Sequence, residues 1–205
     1  SRVTDPLLKL ISDEPRLCKY IDIPVQHASD RMLKAMNRAM TNKDIVGLIL
    51  RIRRIVPDAA IRTTLITGFP GETDRDFKEM LSFVREMRFE RLGVFMYSRE
   101  EGTRAYDLPG QVPYKVKEDR FNALMSAQQE ISRANNNRYL GRTIRVLIDA
   151  KEEGRGLYSG RSEHDAPDVD GTVLVRSRRV LRPGEFIDVR ITDTMEYDLA
   201  GESIR

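Results

Sequence analysis

Apolar positions in the first part of the chain follow two spacings, one typical of strands and one typical of helices. Three short runs rich in β-branched and aromatic residues predict strands at residues 20–25, 61–67 and 91–97. Apolar residues three, four and seven positions apart predict the helices between and after them. Those stripes are Leu33/Met36/Met40, Ile45/Leu48/Ile49/Ile52, Phe77/Met80/Leu81/Val84 and Phe121/Leu124/Met125/Ile131. Strand and helix therefore alternate, which favours an α/β fold with a parallel sheet and ligands at the carboxyl ends of its strands.

The pattern changes after three consecutive asparagines, Asn135, Asn136 and Asn137. Short alternating segments separated by Gly, Pro and Asp predict strands at residues 143–148, 156–160, 171–175, 186–191 and 197–201. Five short strands without an intervening helical stripe are typical of a small β-barrel. We therefore expect two domains, residues 1–137 and residues 138–205.

A glycine-rich turn after the second predicted strand is the most informative segment. Gly68 and Gly71 would let the main chain approach a ligand closely, and the helix that begins after Thr73 would offer unpaired N–H groups. The turn has neither the lysine of a P-loop nor the three spaced glycines of a dinucleotide fingerprint. These absences argue against a kinase or a dehydrogenase.

Polar residues end the neighbouring predicted strands, so the parallel topology would place them beside this turn. Gln26 and His27 follow the first strand, and Tyr97 and Ser98 end the third. A lone histidine is generally a hydrogen-bonded core residue, but the strand-end position makes a site residue an equally good interpretation for His27. The sequence contains no evident Ser/His/Asp set, histidine-rich metal motif or paired-carboxylate motif.

Cysteine content and hydropathy exclude several classes of protein. The single cysteine, Cys18, excludes an internal disulfide and a self-contained cysteine-rich metal or iron–sulfur site, and we interpret it as a structural thiol. No apolar run reaches the roughly 18 residues of a membrane span. The N-terminal residues lack the apolar core of a signal peptide, so we expect a cytoplasmic protein.

Charge is distributed unevenly between the two predicted domains. Residues 1–137 contain 23 basic and 19 acidic residues, whereas residues 138–205 contain 12 basic and 13 acidic residues. The second domain is therefore not a general basic surface for nucleic acid. Four arginines, Arg176, Arg178, Arg179 and Arg182, could form a small cluster, although solvated strand and turn residues are the better interpretation.

Five segments in the same order resemble the radical S-adenosylmethionine methylthiotransferases. They are YIDIPVQHAS at residues 20–29, the helix at 31–38, LITGFPGETDRDF at 65–77, GVFMYSREEGTRA at 93–105, and the helix end at 128–135 followed by YLGRTIRVLID at 139–149. The resemblance covers essentially the whole chain. It implies the second half of a partial (β/α) barrel followed by a TRAM domain, which is a five-stranded barrel similar to an OB-fold.

The resemblance also implies chemistry and site residues. Members of this family cleave S-adenosylmethionine at a 4Fe-4S cluster, and the resulting 5′-deoxyadenosyl radical abstracts hydrogen before a methylthio group is inserted. The implied cofactors are therefore S-adenosylmethionine and 4Fe-4S clusters. The residues that would surround S-adenosylmethionine are Gln26, His27, Gly68, Phe69, Gly71, Glu72 and Tyr97.

One segment resembles the RimO branch of the family, which modifies an aspartate on a small-subunit ribosomal protein. This segment, GRSEHDAPDVDGTV at residues 160–173, has closely spaced carboxylates without the glycine and glutamate positions of a calcium loop, so a solvated turn is the alternative interpretation. The implied partner is that ribosomal protein, with Arg161, Asp165, Asp168 and Asp170 as contact residues. A near-neutral to acidic domain suits a basic partner.

The chain departs from the family pattern because it lacks the CxxxCxxC motif that holds the radical cluster. Cys18 has no cysteine at the required spacing, so we do not assign it as a cluster ligand. We expect a monomeric C-terminal fragment that begins in the helix before the fourth barrel strand and is inactive alone. Two alternatives stay open: a transfer-RNA methylthiotransferase of the same family, and a non-catalytic module that binds RNA or protein.

Overall fold

A computed structural model describes residues 3–204 of the chain. Within this range the chain divides into two compact units. One contains residues 21–57 and 61–128, and the other contains residues 3–20, 58–60 and 129–204. The sequence-based boundary near residue 137 stays a prediction, because the second unit also includes N-terminal residues and the end of a helix.

Up to residue 136, helices follow each strand, as the apolar spacing predicts, and two helices follow the first. The elements are α1 (Asp5–Asp13), β1 (Tyr20–Asp22), α2 (Asp30–Ala35), α3 (Asn42–Ile55), β2 (Ala60–Thr67), α4 (Asp74–Met87), β3 (Arg91–Met96) and α5 (Tyr114–Asn136). The strands form a sheet in the order β1-β2-β3, and β2 and β3 run parallel with Thr64 beside Gly93. One face of β2 is buried and the other is half-buried, so its side chains alternate between two environments.

Local sequence signals explain where two of these helices begin. The side chains of Thr41 at α3 and Thr73 at α4 each accept a hydrogen bond from the N–H three residues later, and the carboxylate of the aspartate there accepts one from the threonine N–H. These reciprocal bonds are capping boxes, which satisfy N–H groups that the helix itself leaves unpaired. Four apolar residues of α3 are buried as the stripe predicts: Ile45, Leu48, Ile49 and Ile52.

Two predicted elements are shorter than expected. Helix α2, the first of the predicted apolar stripes, ends at Ala35, because Asn37 has a φ of 56°, which no right-handed helix accommodates. The extension of its stripe to Met40 was therefore wrong, and both Met36 and Met40 are only half-buried. The first strand ends at Asp22, and the chain then turns at Gln26, whose φ of 73° departs from extended geometry.

The second unit contains the predicted barrel. After a short 3₁₀ turn at Asn137–Tyr139, the strands β4 (Thr143–Lys151), β5 (Leu157–Arg161), β6 (Val173–Arg176), β7 (Phe186–Thr194) and β8 (Leu199–Ser203) close in the order β4-β5-β6-β8-β7. Ten buried apolar side chains fill it: Val146, Ile148, Tyr158, Val173, Val175, Leu181, Ile187, Val189, Ile191 and Leu199. The predicted fold class, half of a (β/α) barrel followed by a small closed β-barrel, is confirmed.

Within residues 3–204, no helix combines the length and the apolar character needed to cross a membrane.

Candidate functional site

The carboxyl ends of the three parallel strands meet at one edge of the sheet. The Gln26 N–H donates to the Thr64 carbonyl oxygen at 2.8 Å, and the Tyr97 N–H donates to the Thr67 carbonyl oxygen at 2.9 Å. The turn formed by residues 68–72, called the 68–72 turn below, follows β2 directly between these two contacts. The structure therefore brings Gln26, Tyr97 and the turn together.

Glu72 is a buried internal brace of this turn. Its side chain is fully buried, its Oε2 accepts the Gly68 N–H at 2.6 Å, and its Oε1 accepts Arg120 Nη1 at 2.9 Å. Arg120 is itself buried, and its Nη2 donates to Asp74 Oδ1 at 2.7 Å. Charge-assisted hydrogen bonds of this kind offset the cost of burying the carboxylate and the guanidinium.

His27 lies next to Glu72 and is completely buried. Its Nδ1 accepts the N–H groups of Ala28 at 2.9 Å and Ser29 at 3.0 Å, so the proton of the neutral ring resides on Nε2. That Nε2 is 3.6 Å from Glu72 Oε2 and makes no hydrogen bond within the described residues. The structure therefore shows His27 as a hydrogen-bonded core residue through Nδ1, and a site role for its Nε2 stays a prediction.

Asp76 is hydrogen-bonded to the start of α4, to the residue before α2 and to α2 itself. Its carboxylate accepts hydrogen bonds from Ser29 Oγ at 2.6 Å, from the Thr73 N–H at 2.8 Å and from Arg31. Burial by itself raises the pKa of Asp76, but the hydrogen bonds from Arg31, Ser29 and Thr73 outweigh it and hold the pKa well below its ordinary value. The carboxylate is therefore ionised at neutral pH and ties three segments together.

Helix α5 packs its first turns against the other side of the 68–72 turn. Lys117 Nζ donates to the Tyr97 carbonyl oxygen at 2.8 Å and lies 5.0 Å from the centre of the Tyr97 ring. Burial lowers the pKa of Lys117. Gly68 has a φ of 71°, and a Cβ added there would clash with Lys117 Cγ, so both the conformation and the close approach require glycine.

Phe69 and Gly71, the remaining predicted cofactor residues of the turn, contact neighbouring segments. The Phe69 ring meets the Tyr97 ring edge-on with a centroid separation of 5.4 Å, and Phe69 is buried. The Gly71 N–H donates to the Gly110 carbonyl oxygen at 2.7 Å, and the Gly71 carbonyl oxygen accepts Arg31 Nη2 at 2.7 Å. The Tyr97 hydroxyl is buried without a hydrogen bond among the described residues.

Sequence reasoning missed four residues of this arrangement: Arg31, Asp76, Lys117 and Arg120. Asp76 was visible as the third residue of a capping box, but its bonds to Ser29 and Arg31 join segments 45 or more residues apart. Lys117 and Arg120 are three residues apart on the predicted helix, which places them on one face. Nothing in a one-dimensional pattern indicated that this face would meet the 68–72 turn.

A groove of about 670 Å³ lies on the helical side of the same unit. Residues from α2, α3 and α4 line it, including Arg31, Asn42, Asp76 and Glu86. None of the seven predicted cofactor residues lines this groove. It is therefore separate from the sheet edge at which the carboxyl ends of the strands meet, called the rim below.

The predicted partner residues lie at one end of the barrel, in and beside the loop of residues 162–172, called the acidic loop below. Asp165 Oδ2 accepts Ser162 Oγ at 2.6 Å, and Asp170 Oδ2 accepts the Tyr20 hydroxyl at 2.6 Å, so both carboxylates hold their own surroundings together. Arg161 pairs with Asp149. Asp168 is exposed, with a φ of 61°. A partner role for these residues stays a prediction, and Asp168 is the carboxylate best placed for it.

The described residues do not supply a metal centre. Among residues 3–204 no group of three or more His, Cys, Asp and Glu side chains could hold a metal ion. Cys18 is exposed, which contradicts its interpretation as a structural thiol.

Comparison with known proteins relates the chain to one family. Residues 1–84 match the model of the Radical SAM superfamily, and residues 140–204 match that of the TRAM domain. The chain is 45% identical over 203 residues to the ribosomal protein uS12 methylthiotransferase RimO of Desulforamulus reducens, and 48% identical over 205 residues to that of Pelotomaculum thermopropionicum. The resemblance to the RimO branch of the radical S-adenosylmethionine methylthiotransferases is confirmed.

These similarities cover nearly all of this chain but less than half of each relative. The two alignments cover 98% and 100% of the chain and 46% of each relative. The RimO protein of Geobacter sulfurreducens is 47% identical over 98% of the chain, and 45% of that relative is covered.

A solved structure supports the fold. Escherichia coli coproporphyrinogen III oxidase (HemN), a radical SAM enzyme, superposes with a TM-score of 0.53 at 14% identity, covering 78% of this chain and 44% of that one. At that identity the likeness concerns the fold alone.

The site fits the two implied cofactors differently. A single cysteine cannot supply the three thiolates of a radical SAM cluster, so these residues do not fit the cluster. S-adenosylmethionine fits better, because the rim contains two buried polar atoms, His27 Nε2 and the Tyr97 hydroxyl oxygen, without partners in the described residues. Buried polar atoms that stay unpaired cost free energy, which a bound polar ligand would recover.

Proposed function

We propose that this chain carries the second half of the radical SAM barrel and the TRAM domain of a RimO-type methylthiotransferase. The reaction would be methylthiolation of an aspartate on the small-subunit ribosomal protein uS12. The observation that carries this proposal is the 45–48% identity to RimO proteins over essentially the whole chain. Cytoplasmic location and a monomeric state belong to the same proposal.

In this proposal the rim residues hold S-adenosylmethionine. His27 Nε2 and the Tyr97 hydroxyl would donate hydrogen bonds to it, and the Phe69 and Tyr97 rings would supply apolar contact. Bound S-adenosylmethionine supplies the radical that starts the reaction, while the iron–sulfur cluster would be held by residues outside this sequence. The chain's own contribution is to orient the ligand and exclude water.

The barrel would contact the protein substrate. Ribosomal proteins that bind RNA are generally basic, and the acidic loop presents Asp168 to solvent at one barrel end. Both observations favour a protein substrate over transfer RNA.

A segment exchange tests the proposed function. Residues 1–205 replace the matching 45% of the Geobacter sulfurreducens RimO protein, and the hybrid is reconstituted with iron, sulfide and S-adenosylmethionine. We expect mass spectrometry to find a methylthio group on one aspartate of uS12. A folded hybrid that binds S-adenosylmethionine but modifies transfer RNA instead would favour the alternative substrate, and one that modifies neither would contradict the proposal.

A further inference from the structure

The polar groups of the 68–72 turn make their hydrogen bonds largely within the protein. Glu72 uses Oε1 for Arg120 and Oε2 for the Gly68 N–H, so both carboxylate oxygens are bound inside the protein. Since the side chain is also fully buried, its first role is that of an internal brace. This changes the role that the family resemblance implies for Glu72.

We propose that Arg120 and Lys117 are positioning residues that fix the geometry of the 68–72 turn, Arg120 acting through Glu72 and Lys117 through contact with Gly68. This inference rests on the proposed function, because it assigns the turn as a wall of the S-adenosylmethionine site. It adds α5 to the set of elements that determine cofactor binding.

The Arg120 contacts form an unbroken chain to the turn. One end of the guanidinium binds both the Glu72 carboxylate and, at 3.3 Å, the Glu72 carbonyl oxygen, while the other end binds Asp74. Arg120 therefore spans the end of the turn and the first residue of α4. Without its charge, Glu72 would be a buried carboxylate that has lost the guanidinium 2.9 Å from its Oε1.

Lys117 acts on the opposite end of the turn. Its aliphatic stem fills the space above Gly68, and its ammonium group reaches the end of β3 at the Tyr97 carbonyl oxygen. The Lys117 carbonyl oxygen also accepts Thr67 Oγ1 at 3.4 Å. The two cations, three residues apart on α5, thus hold the two ends of the same turn.

Amide hydrogen exchange on the 205-residue chain tests the positioning role without any cofactor. Arg120→Gln should accelerate exchange of the Gly68 N–H about tenfold relative to the β2 amide of Leu65, because the Glu72 acceptor loses its fixed position. Arg120→Lys keeps the charge and should rescue part of the protection. Lys115→Gln removes the same charge from an exposed position of the same helix and serves as the matched control.

Two further measurements separate this role from a general effect on stability. In a Glu72→Gln background, Arg120→Gln should add no further acceleration at Gly68, because Arg120 acts through that carboxylate. Equal acceleration at Gly68 and Leu65, or no acceleration, would overturn the proposal.

The link to the cofactor is measured separately by calorimetry. The dissociation constant of S-adenosylmethionine should rise about tenfold in Arg120→Gln and stay unchanged in Lys115→Gln. If the unaltered chain shows no binding, the assignment of the turn to the cofactor site fails together with the proposed function, whereas the exchange experiment still decides whether Arg120 fixes the turn.

Discussion

At the scale of single residues, Asp76 is the most connected carboxylate of the candidate site. Replacing it with asparagine removes the charge that Arg31, Ser29 and Thr73 bind together, so we expect Asp76→Asn to lower the free energy of unfolding by about 2 kcal/mol at pH 7. Urea denaturation measures this loss. Asp44→Asn, in the exposed capping box of α3, is the matched control and should cost less.

The effect of Asp76 should depend on pH with a defined sign. Its pKa in the folded protein is lowered, so its stabilisation is present above the ordinary aspartate pKa of about 3.9 and is lost as the pH falls below that value towards the folded pKa. The stability difference between the unaltered chain and Asp76→Asn should therefore shrink between pH 5 and pH 3. A difference that stays constant over this range would contradict the charge-based explanation.

At Gly68, both the backbone conformation and the packing against Lys117 require glycine. We expect Gly68→Ala to lower the free energy of unfolding by about 2 kcal/mol, partly from the left-handed conformation and partly from the clash with Lys117. The double variant Gly68→Ala/Lys117→Ala should recover the part that comes from the clash. If it recovers nothing, packing against Lys117 contributes no constraint at this position.

At the scale of elements, the acidic loop contains two kinds of carboxylate, one buried and hydrogen-bonded and one exposed to solvent. Asp165→Ala removes the acceptor of the Ser162 bonds, so we expect it to lower barrel stability by about 1 kcal/mol, measured by thermal denaturation. Asp168→Asn should leave the melting temperature unchanged, because asparagine tolerates the positive φ at this exposed position. It should instead weaken binding to purified uS12. Equal effects of both variants on uS12 binding alone would contradict this division of roles.

Elements were predictable where local signals determine them. The α3 stripe and the strand–helix succession were predicted from residues a few positions apart, and the structure confirms them. The two capping boxes depend on residues three positions apart and are equally local. The length of α2 was not predictable from its apolar spacing, because Asn37 adopts a left-handed conformation that ends it. A periodic stripe records which residues are apolar and does not record where the backbone turns.

At the scale of the whole molecule, the barrel should fold on its own. All five strands pair with one another, and the buried cluster comes from residues within the predicted domain 138–205. We expect this segment to unfold cooperatively. A segment of residues 129–205 should be more stable by about 1 kcal/mol, because Asn136 then donates to the carbonyl oxygens of Met195 and Glu196. Non-cooperative unfolding of the shorter segment, measured by circular dichroism, would contradict the predicted boundary.

The 205-residue chain alone should not cleave S-adenosylmethionine. Its single cysteine cannot supply the three thiolates of the radical cluster, even when iron, sulfide and a reductant are provided. Chromatography should therefore find no 5′-deoxyadenosine. The segment exchange described above is the positive control, and 5′-deoxyadenosine from the isolated chain would show that cluster ligands were overlooked.

The sequence by itself determined the alternation of strands and helices, the five-strand barrel, the family resemblance and the strand ends at which we expect the site. These features depend on side-chain period, glycine positions and ordered motifs, all of which a linear chain records. Only the tertiary structure decided that Glu72 is an internal brace and that Lys117 and Arg120 of α5 hold the 68–72 turn. The contacts of Arg120 with Glu72 and of Lys117 with Thr67 join residues 48 and 50 positions apart, and such partners are selected by how the elements pack.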